Sequence, residues 1–286
     1  MMITNTLEYP LILDPKQYEA SHLALVKNTQ DKDMFILKEF EQHSLTQQNT
    51  AALMNRVDNK YVLPIELFNP LMAEISADYS ILNAYGRRIF NYQTTYFDNK
   101  ERQFYRDHHN GKLNRYKVRY RRYVESDMGY MEIKFKNNQK RTDKQRIPMD
   151  CILPDQIQIN DFVKSTLGYS IELETVLFVN YQRITLLNKK NLERITLDLN
   201  LSFRNANNSN ESIQDQVFIV EIKQNRKPFP SSCRNFIKHH GYQAINFSKY
   251  CMGSVLTDNK EDENSPLKYN RFKSVLRRLE KINAQH

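Results

Sequence analysis

Residues 114–136 read NRYKVRYRRYVESDMGYMEIKFK. In steps of two, Arg115, Lys117, Arg119 and Arg121 fall on one face of an extended strand, and Tyr116, Val118 and Tyr120 fall on the other. After a turn at Asp127-Met128-Gly129 the pattern repeats, with Glu132, Lys134 and Lys136 alternating against Met131, Ile133 and Phe135. Two successive strands therefore share a cationic face.

The same parity extends outward along the chain. Asn137-Asn138 marks a turn, after which Lys144 and Arg146 share a face before Pro148. Upstream, Arg56 to Leu63 is a short extended run with Arg56, Asp58 and Lys60 on one side, and Pro64 ends it and opens a helix through Leu67, Leu71, Met72 and Ile75. Arg88 to Asp98 is aromatic and threonine-rich, a strand composition. Asp107 to Lys112, with Asn110-Gly111, reads as a turn. Asp155 to Leu167 reads as a helix closed near Gly168.

Val176 to Leu187 alternates again and carries Tyr181 and Arg183 on one face. Next, Arg194, Thr196, Asp198, Asn200 and Ser202 oppose Ile195, Leu197, Leu199, Leu201 and Phe203, a strict period of two. Residues 205–215 read as a polar loop. Val217 to Lys223 is an apolar strand with Glu221 and Lys223 on one side, and helices are expected about Ser232 to His240 and Lys273 to Ile282. Phe35, Leu37, Phe40 and Leu45 suggest one amphipathic helix near the N-terminus. The expected fold class is α+β: an antiparallel β-barrel of about eight strands enclosing a basic tunnel, with peripheral helices. Its expected division is an N-terminal helical extension over 1–50, a tunnel domain over 51–256 and a charged tail over 257–286.

The 286 residues suffice for a sizeable core, and 42 Lys plus Arg against 33 Asp plus Glu give a net charge of +9 that favours anionic partners. The 6 glycines form neither GxxxxGKS/T nor GxGxxG, so any phosphate must be held by side chains. Cys151, Cys233 and Cys251 make no CxxC pair and read as structural thiols of a reducing, cytoplasmic compartment. Neither a basic leader with an apolar core nor a run long enough to span a membrane occurs, so a membrane anchor would have to come from a separate partner.

An alternating strand is ordinarily a half-buried sheet with its polar face in water. A solvated face mixes signs, however, and here Lys117, Arg119, Arg121, Lys134, Lys144, Arg146, Arg183, Arg194 and Lys223 are offset only by Glu132, Asp198 and Glu221. Such crowding calls for a polyanion, and the arginine fork suits phosphate oxygens. A nucleic-acid groove is disfavoured because Tyr116, Tyr120 and Phe135 lie opposite the cations, where no base could stack on them.

The signatures RVDNKYVL, KVRYRRY, YMEIKFK, DKQRI, NYQRI, ERITLDLNLSF, VFIVEIK and NFSKY, in this order from Arg56 to Tyr250, resemble the VTC domain of polyphosphate polymerases within the CYTH-like triphosphate tunnel metalloenzyme superfamily. The resemblance implies a basic tunnel and Mn2+- or Mg2+-dependent transfer of the terminal phosphoryl group of ATP to inorganic polyphosphate, with ATP and polyphosphate or pyrophosphate as partners. It implies phosphate-binding positions at Lys60, Arg119, Arg121, Lys134, Lys144, Arg183, Arg194 and Lys249, and a metal-binding glutamate at Glu221. Catalytic roles are expected for Arg119, Arg121, Lys134, Arg183 and Arg194. Lys60, Lys117, Lys144, Arg146, Lys223, Lys249 and Tyr181 are expected to bind substrate, and Glu221 with Glu132 to bind metal. Glu132 could equally pair with a neighbouring lysine, Asp198 with Arg183 or Arg194, and Tyr181 could serve as packing. Related hydrolases open with ExExK where this chain has Arg56, Asp58 and Lys60, which weakens a hydrolase reading. Hydrolysis of triphosphate and non-catalytic polyphosphate binding remain the alternatives.

Overall fold

A computed structural model describes residues 35–50, 56–139, 141–149, 156–191, 193–208, 210–225, 229–259 and 267–284. Cys151 and the N-terminal stretch before residue 35 lie outside them. In chain order the strands are β1 (Glu41–His43), β2 (Arg56–Pro64), β3 (Tyr79–Leu82), β4 (Phe90–Asp98), β5 (Arg115–Tyr123), β6 (Met128–Lys136), β7 (Thr142–Met149), β8 (Glu174–Asn188), β9 (Arg194–Asn205), β10 (Glu211–Gln214) and β11 (Val217–Asn225). The α-helices are α1 (Leu45–Thr50), α2 (Phe68–Ile75), α3 (Gln103–His109), α4 (Gln156–Leu167), α5 (Ser232–His239), α6 (Lys249–Leu256) and α7 (Lys273–Asn283). Among them no helix is long and apolar enough to cross a membrane.

The main sheet runs β2-β11-β9-β8-β4-β5-β6-β7, antiparallel throughout, with β3 and β10 at its margins and β1 parallel to β3. This is the expected α+β antiparallel architecture. Among the described residues the two ends, β2 and β7, do not pair with each other, yet side chains of both line one cavity, so the sheet curls until its edges face the same space. Each edge strand carries a proline, Pro64 on β2 and Pro148 on β7, the residue that a doubly paired strand excludes.

Three apolar clusters fix the curl. Outward residues of β2, β3, β8, β9 and β11 pack on α2 and α5, for example Phe218 edge-on to Phe68 at 5.7 Å. On the other flank Val118, Tyr120, Met131 and Ile133 pack against Phe104 of α3 and Ile159, Val163 and Leu167 of α4. The third cluster lies on the inward parity. Val62, Val179, Val217 and Ile219 continue the same faces as Lys60, Tyr181, Glu221 and Lys223, and they meet α6 and α7. One end of the interior is thus filled with apolar side chains and the rest is left to charge. Gly253 permits the close seat of α6, because a Cβ there would strike Phe203 and Leu177.

Four expectations are revised. The helix drawn through Phe35, Leu37, Phe40 and Leu45 is broken into a 3-10 turn at Ile36–Glu39, strand β1 and short α1, because Glu41–His43 gains backbone partners on β3. The segment before Gly111 is helical over α3; its first amides are satisfied by Asp98, which accepts from Phe104 N and Tyr105 N, and by Asn99, which accepts from Gln103 N. The polar loop 205–215 contains β10. The strict alternation of β9 also fails at Asn200, which sits at φ 49°. Pairing passes from Gln182↔Leu199 to Asn180↔Ser202, and this bulge moves Leu201 and Phe203 out of the cluster of Ile195, Leu197 and Leu199 and into the inward one.

The helix expected near Lys273 to Ile282 is α7, and it buries Val275, Leu276, Leu279 and Ile282 against the inward cluster. Leu279→Ala is expected to lower stability by about 2–5 kcal/mol in urea unfolding. An unchanged midpoint would mean that α7 does not close this end of the sheet.

Candidate active site

Every main-path strand contributes to a cavity of about 630 Å3. Among the described residues, eleven Lys and Arg side chains and four Asp and Glu side chains line it. Lys60 comes from β2, Lys117, Arg119 and Arg121 from β5, Lys134 from β6, and Lys144 and Arg146 from β7. Tyr181 and Arg183 come from β8, Arg194 from β9, Glu221 and Lys223 from β11, and Lys249 from the start of α6. Glu132 is the sequence-selected residue that does not line it.

Glu132 is 0% exposed behind the cations. Arg119 Nε donates to its Oε2 at 2.8 Å, Arg121 lies 3.8 Å away and Lys144 pairs with Oε1. Burial alone would push this carboxyl up, but Arg119, Arg121 and Lys144 outweigh it and hold it well below the usual carboxylate range. Asp198 does the same across the cavity. Arg183 grips it bidentately at 2.6 and 2.9 Å and Lys249 adds an ion pair.

The third carboxylate is Glu221, paired to Lys60 by one oxygen and to Lys223 by the other. Register places Lys60 opposite Glu221 and Asp58 opposite Lys223, so signs alternate in a square at this corner. Burial raises the Glu221 carboxyl, but Lys223 and Lys60 hold it well below its ordinary value. Glu221 and Asp58 offer hard oxygen donors to the cavity. Such a pair suits Mn2+ or Mg2+, which bind one or two carboxylates and complete their shell with substrate phosphates. Among the described residues no group of three His, Cys, Asp or Glu could hold a metal unaided.

Tyrosine faces hold the cations in place. Tyr92 stacks on Tyr181 at 5.1 Å, and Arg183 lies 5.0 Å from the first ring and 5.2 Å from the second. Lys249 sits 4.2 Å over Tyr181 and Arg146 4.7 Å over Tyr130. Three buried polar atoms of lining residues, Arg121 Nε, Tyr181 OH and Thr196 Oγ1, have no hydrogen-bond partner in the protein. Tyr92, Tyr96, Tyr123, Tyr130 and Ser248 were not singled out from sequence, and Asp58 was given no role in the site. Parity along β4, where Phe90, Tyr92 and Tyr96 share the cavity face, was the available signal for its aromatic wall.

The histidines stand apart. His108 and His109 lie on α3, half-buried against Phe272, while His239 and His240 are exposed. Cys233 and Cys251 are buried thiols that burial pushes up, in keeping with a structural role.

The family model described as the VTC domain matches residues 55–257. No curated protein matches the sequence. Among solved structures, a candidate adenylate cyclase of Bacillus halodurans is 10% identical, with 68% of this chain and 94% of that chain covered at a TM-score of 0.42. A candidate adenylyl cyclase of Hippeastrum, described as having a dominant triphosphatase activity, is 12% identical, with 73% and 99% covered at 0.44. A third such protein, of Vibrio parahaemolyticus, is 10% identical, with 69% and 97% covered at 0.40.

Two cavity lysines carry a pH signature. Burial, then Lys60, Arg115 and Arg119, bring Lys117 from 10.5 down to about 8 against a smaller upward pull from Cys251; burial, then Arg183, bring Lys223 to about 8 despite Glu221. Because the folded values lie below the unfolded one, the stability they contribute is complete above about 10.5 and is lost as pH falls through about 8. From pH 7 to 9 the empty protein's melting temperature is therefore expected to rise, while affinity for tripolyphosphate falls and binding takes up protons. Calorimetry in buffers of different ionisation heat reads this uptake. Pure heat of binding at pH 8.5, the same in every buffer, would contradict it.

Proposed function

Because the chain belongs to the VTC domain family, matched over residues 55–257, we propose that it transfers the terminal phosphoryl group of ATP to the end of an inorganic polyphosphate chain. The supporting observation is the cavity itself, in which eleven cations face four carboxylates. That balance suits a ligand carrying several negative charges in a row, and the unpartnered Arg121 Nε, Tyr181 OH and Thr196 Oγ1 are donors for its oxygens. In this reading residues 51–256 carry the chemistry.

Phosphoryl transfer asks the protein mainly for position and charge. Arg119, Arg121, Lys134, Arg183 and Arg194 hold the triphosphate and stabilise charge gathering on the transferred group. Lys60, Lys117, Lys144, Arg146, Lys223 and Lys249 bind the flanking phosphates. A terminal oxygen of the acceptor chain, already ionised, attacks the γ-phosphorus as the bond to the β–γ bridging oxygen breaks and ADP leaves. No general base is required. Glu221, with Asp58 beside it, would hold Mn2+ or Mg2+, which when bound neutralises phosphate charge. Glu132 serves instead to fix Arg119, Arg121 and Lys144, since it is fully buried behind them and, unlike Glu221, does not line the cavity.

Incubation with ATP and Mn2+ is expected to yield long polyphosphate chains on a gel with matching ADP release, and Glu221→Ala to slow this by about 100-fold or more. Orthophosphate as the sole product would establish hydrolysis instead. Tight binding without turnover, unchanged in Glu221→Ala, would make the protein a binding module.

A further inference from the structure

The cavity is plugged at one end and opens in two other directions. At the plugged end Lys117 donates to Ser248 Oγ, at the head of α6, at 3.0 Å. Six residues along β5, about 20 Å away, the turn from Tyr123 to Met128 forms a mouth. Its lining includes Phe90, Tyr130 and the exposed Tyr85 and Met128.

The second opening is lateral, and β7 forms one of its rims. From Thr142 to Arg146 every residue is exposed, on the inward parity as much as on the outward. On the central strand β9, by contrast, the inward Thr196 and Asp198 are buried. Register sets Lys144 opposite Lys134, which is opposite Lys117. Lys144 therefore lies level with the plug and far from the mouth, yet its side chain is 35% exposed. Water reaches it from the side. The other rim is β2 with the segment before α6, joined by Ile245 N donating to Lys60 O at 2.8 Å. The Lys60 side chain is 31% exposed, against 9% for Lys223, with which it shares Glu221, and Asn246 next to Ile245 is exposed.

The chemistry of the linings divides the two openings between the reactants. Aromatic faces at the mouth suit a base, and the phosphates of ATP then extend inward to Arg119, Arg121 and Arg183 with the γ-phosphorus leading. In-line displacement brings the attacking oxygen from the side opposite the leaving group. Here that side is toward the plug, where the apolar cluster under α6 and α7 fills the interior. The lateral opening reaches the same level without crossing the plug.

We propose that the acceptor phosphate chain enters, and the lengthened chain leaves, through the slot between β7 and the rim of β2 with Ile245 and Asn246, guided by Lys144 and Lys60. This rests on the reading of the cavity as a phosphoryl-transfer site. The bond formed joins the acceptor's terminal oxygen to the γ-phosphorus, and the bond broken releases ADP toward the mouth. Donor and acceptor use separate openings, so the protein holds both at once.

The test is binding of end-labelled long-chain polyphosphate to the full chain with and without a saturating non-hydrolysable ATP analogue. It is repeated with Gln145→Glu/Asn246→Asp, near-isosteric changes that place a negative charge on each rim, and with Gln145→Lys/Asn246→Lys; thermal melts confirm folding. The wild type is expected to hold analogue and chain together. With the analogue present, the acidic variant should bind the chain about fivefold more weakly and the basic variant more tightly, while both bind tripolyphosphate as the wild type does. Exclusion of the chain by the analogue would show that the two share one opening, which overturns the slot. Wild-type chain affinity in the folded variants would overturn it and leave the cavity reading intact. An equal change for tripolyphosphate and the chain would show that the rim charges act only through their field on the cavity, which also overturns it. Failure of the wild type to bind the analogue would overturn the cavity reading and the slot together.

Discussion

Like charges crowded into a space poor in water repel, and containing that repulsion is the condition on which the interior depends. Two unit charges 4 Å apart at an effective dielectric of 20 oppose each other by about 4 kcal/mol. Three carboxylates are placed to meet it. Glu132 gathers Arg119, Arg121 and Lys144, Asp198 gathers Arg183 and Lys249, and Glu221 gathers Lys60 and Lys223. Lys134 shows that the compensation is incomplete, because Arg119 first, then burial and Arg121, drive its pKa well below the ordinary value.

The rest of the fold supplies rigidity against this load. Outward faces of the strands are locked by α2 and α5 on one flank and by α3 and α4 on the other. The inward face changes from charged to apolar along β2, β8 and β11, and there α6 and α7 plug one end of the curled sheet. Ser248 and Lys249, at the head of α6, face the cavity, and Lys117 donates to Ser248 Oγ at 3.0 Å. The apolar plug and the charged site thus meet at one helix start.

Much of this was legible in sequence because a strand's parity needs no knowledge of its neighbours. The ladders of β5, β6 and β7 and the Glu221–Lys223 pair gave the cavity wall directly. What was missed depends on contacts distant in sequence. The break at Asn200 is a bulge on β9, where Asn200 and Leu201 together oppose Tyr181 of β8, the start of α3 is capped by Asp98 from β4, and the strand character of Glu41–His43 exists only beside β3. Glu132 shares the parity of the cavity residues, yet alternation gives direction and not depth, so its enclosure behind three cations could not be read from spacing.

The central claim is that a chain of phosphates relieves the repulsion among the cavity cations. Its most direct measurement is the melting temperature against tripolyphosphate concentration, with sulfate and chloride at matched ionic strength as references. Specific occupancy predicts a continuing rise with the logarithm of concentration, reaching about 2.7 kcal/mol of added stability at a hundredfold excess over the dissociation constant. A melt that responds to tripolyphosphate no more than to sulfate or chloride would contradict it.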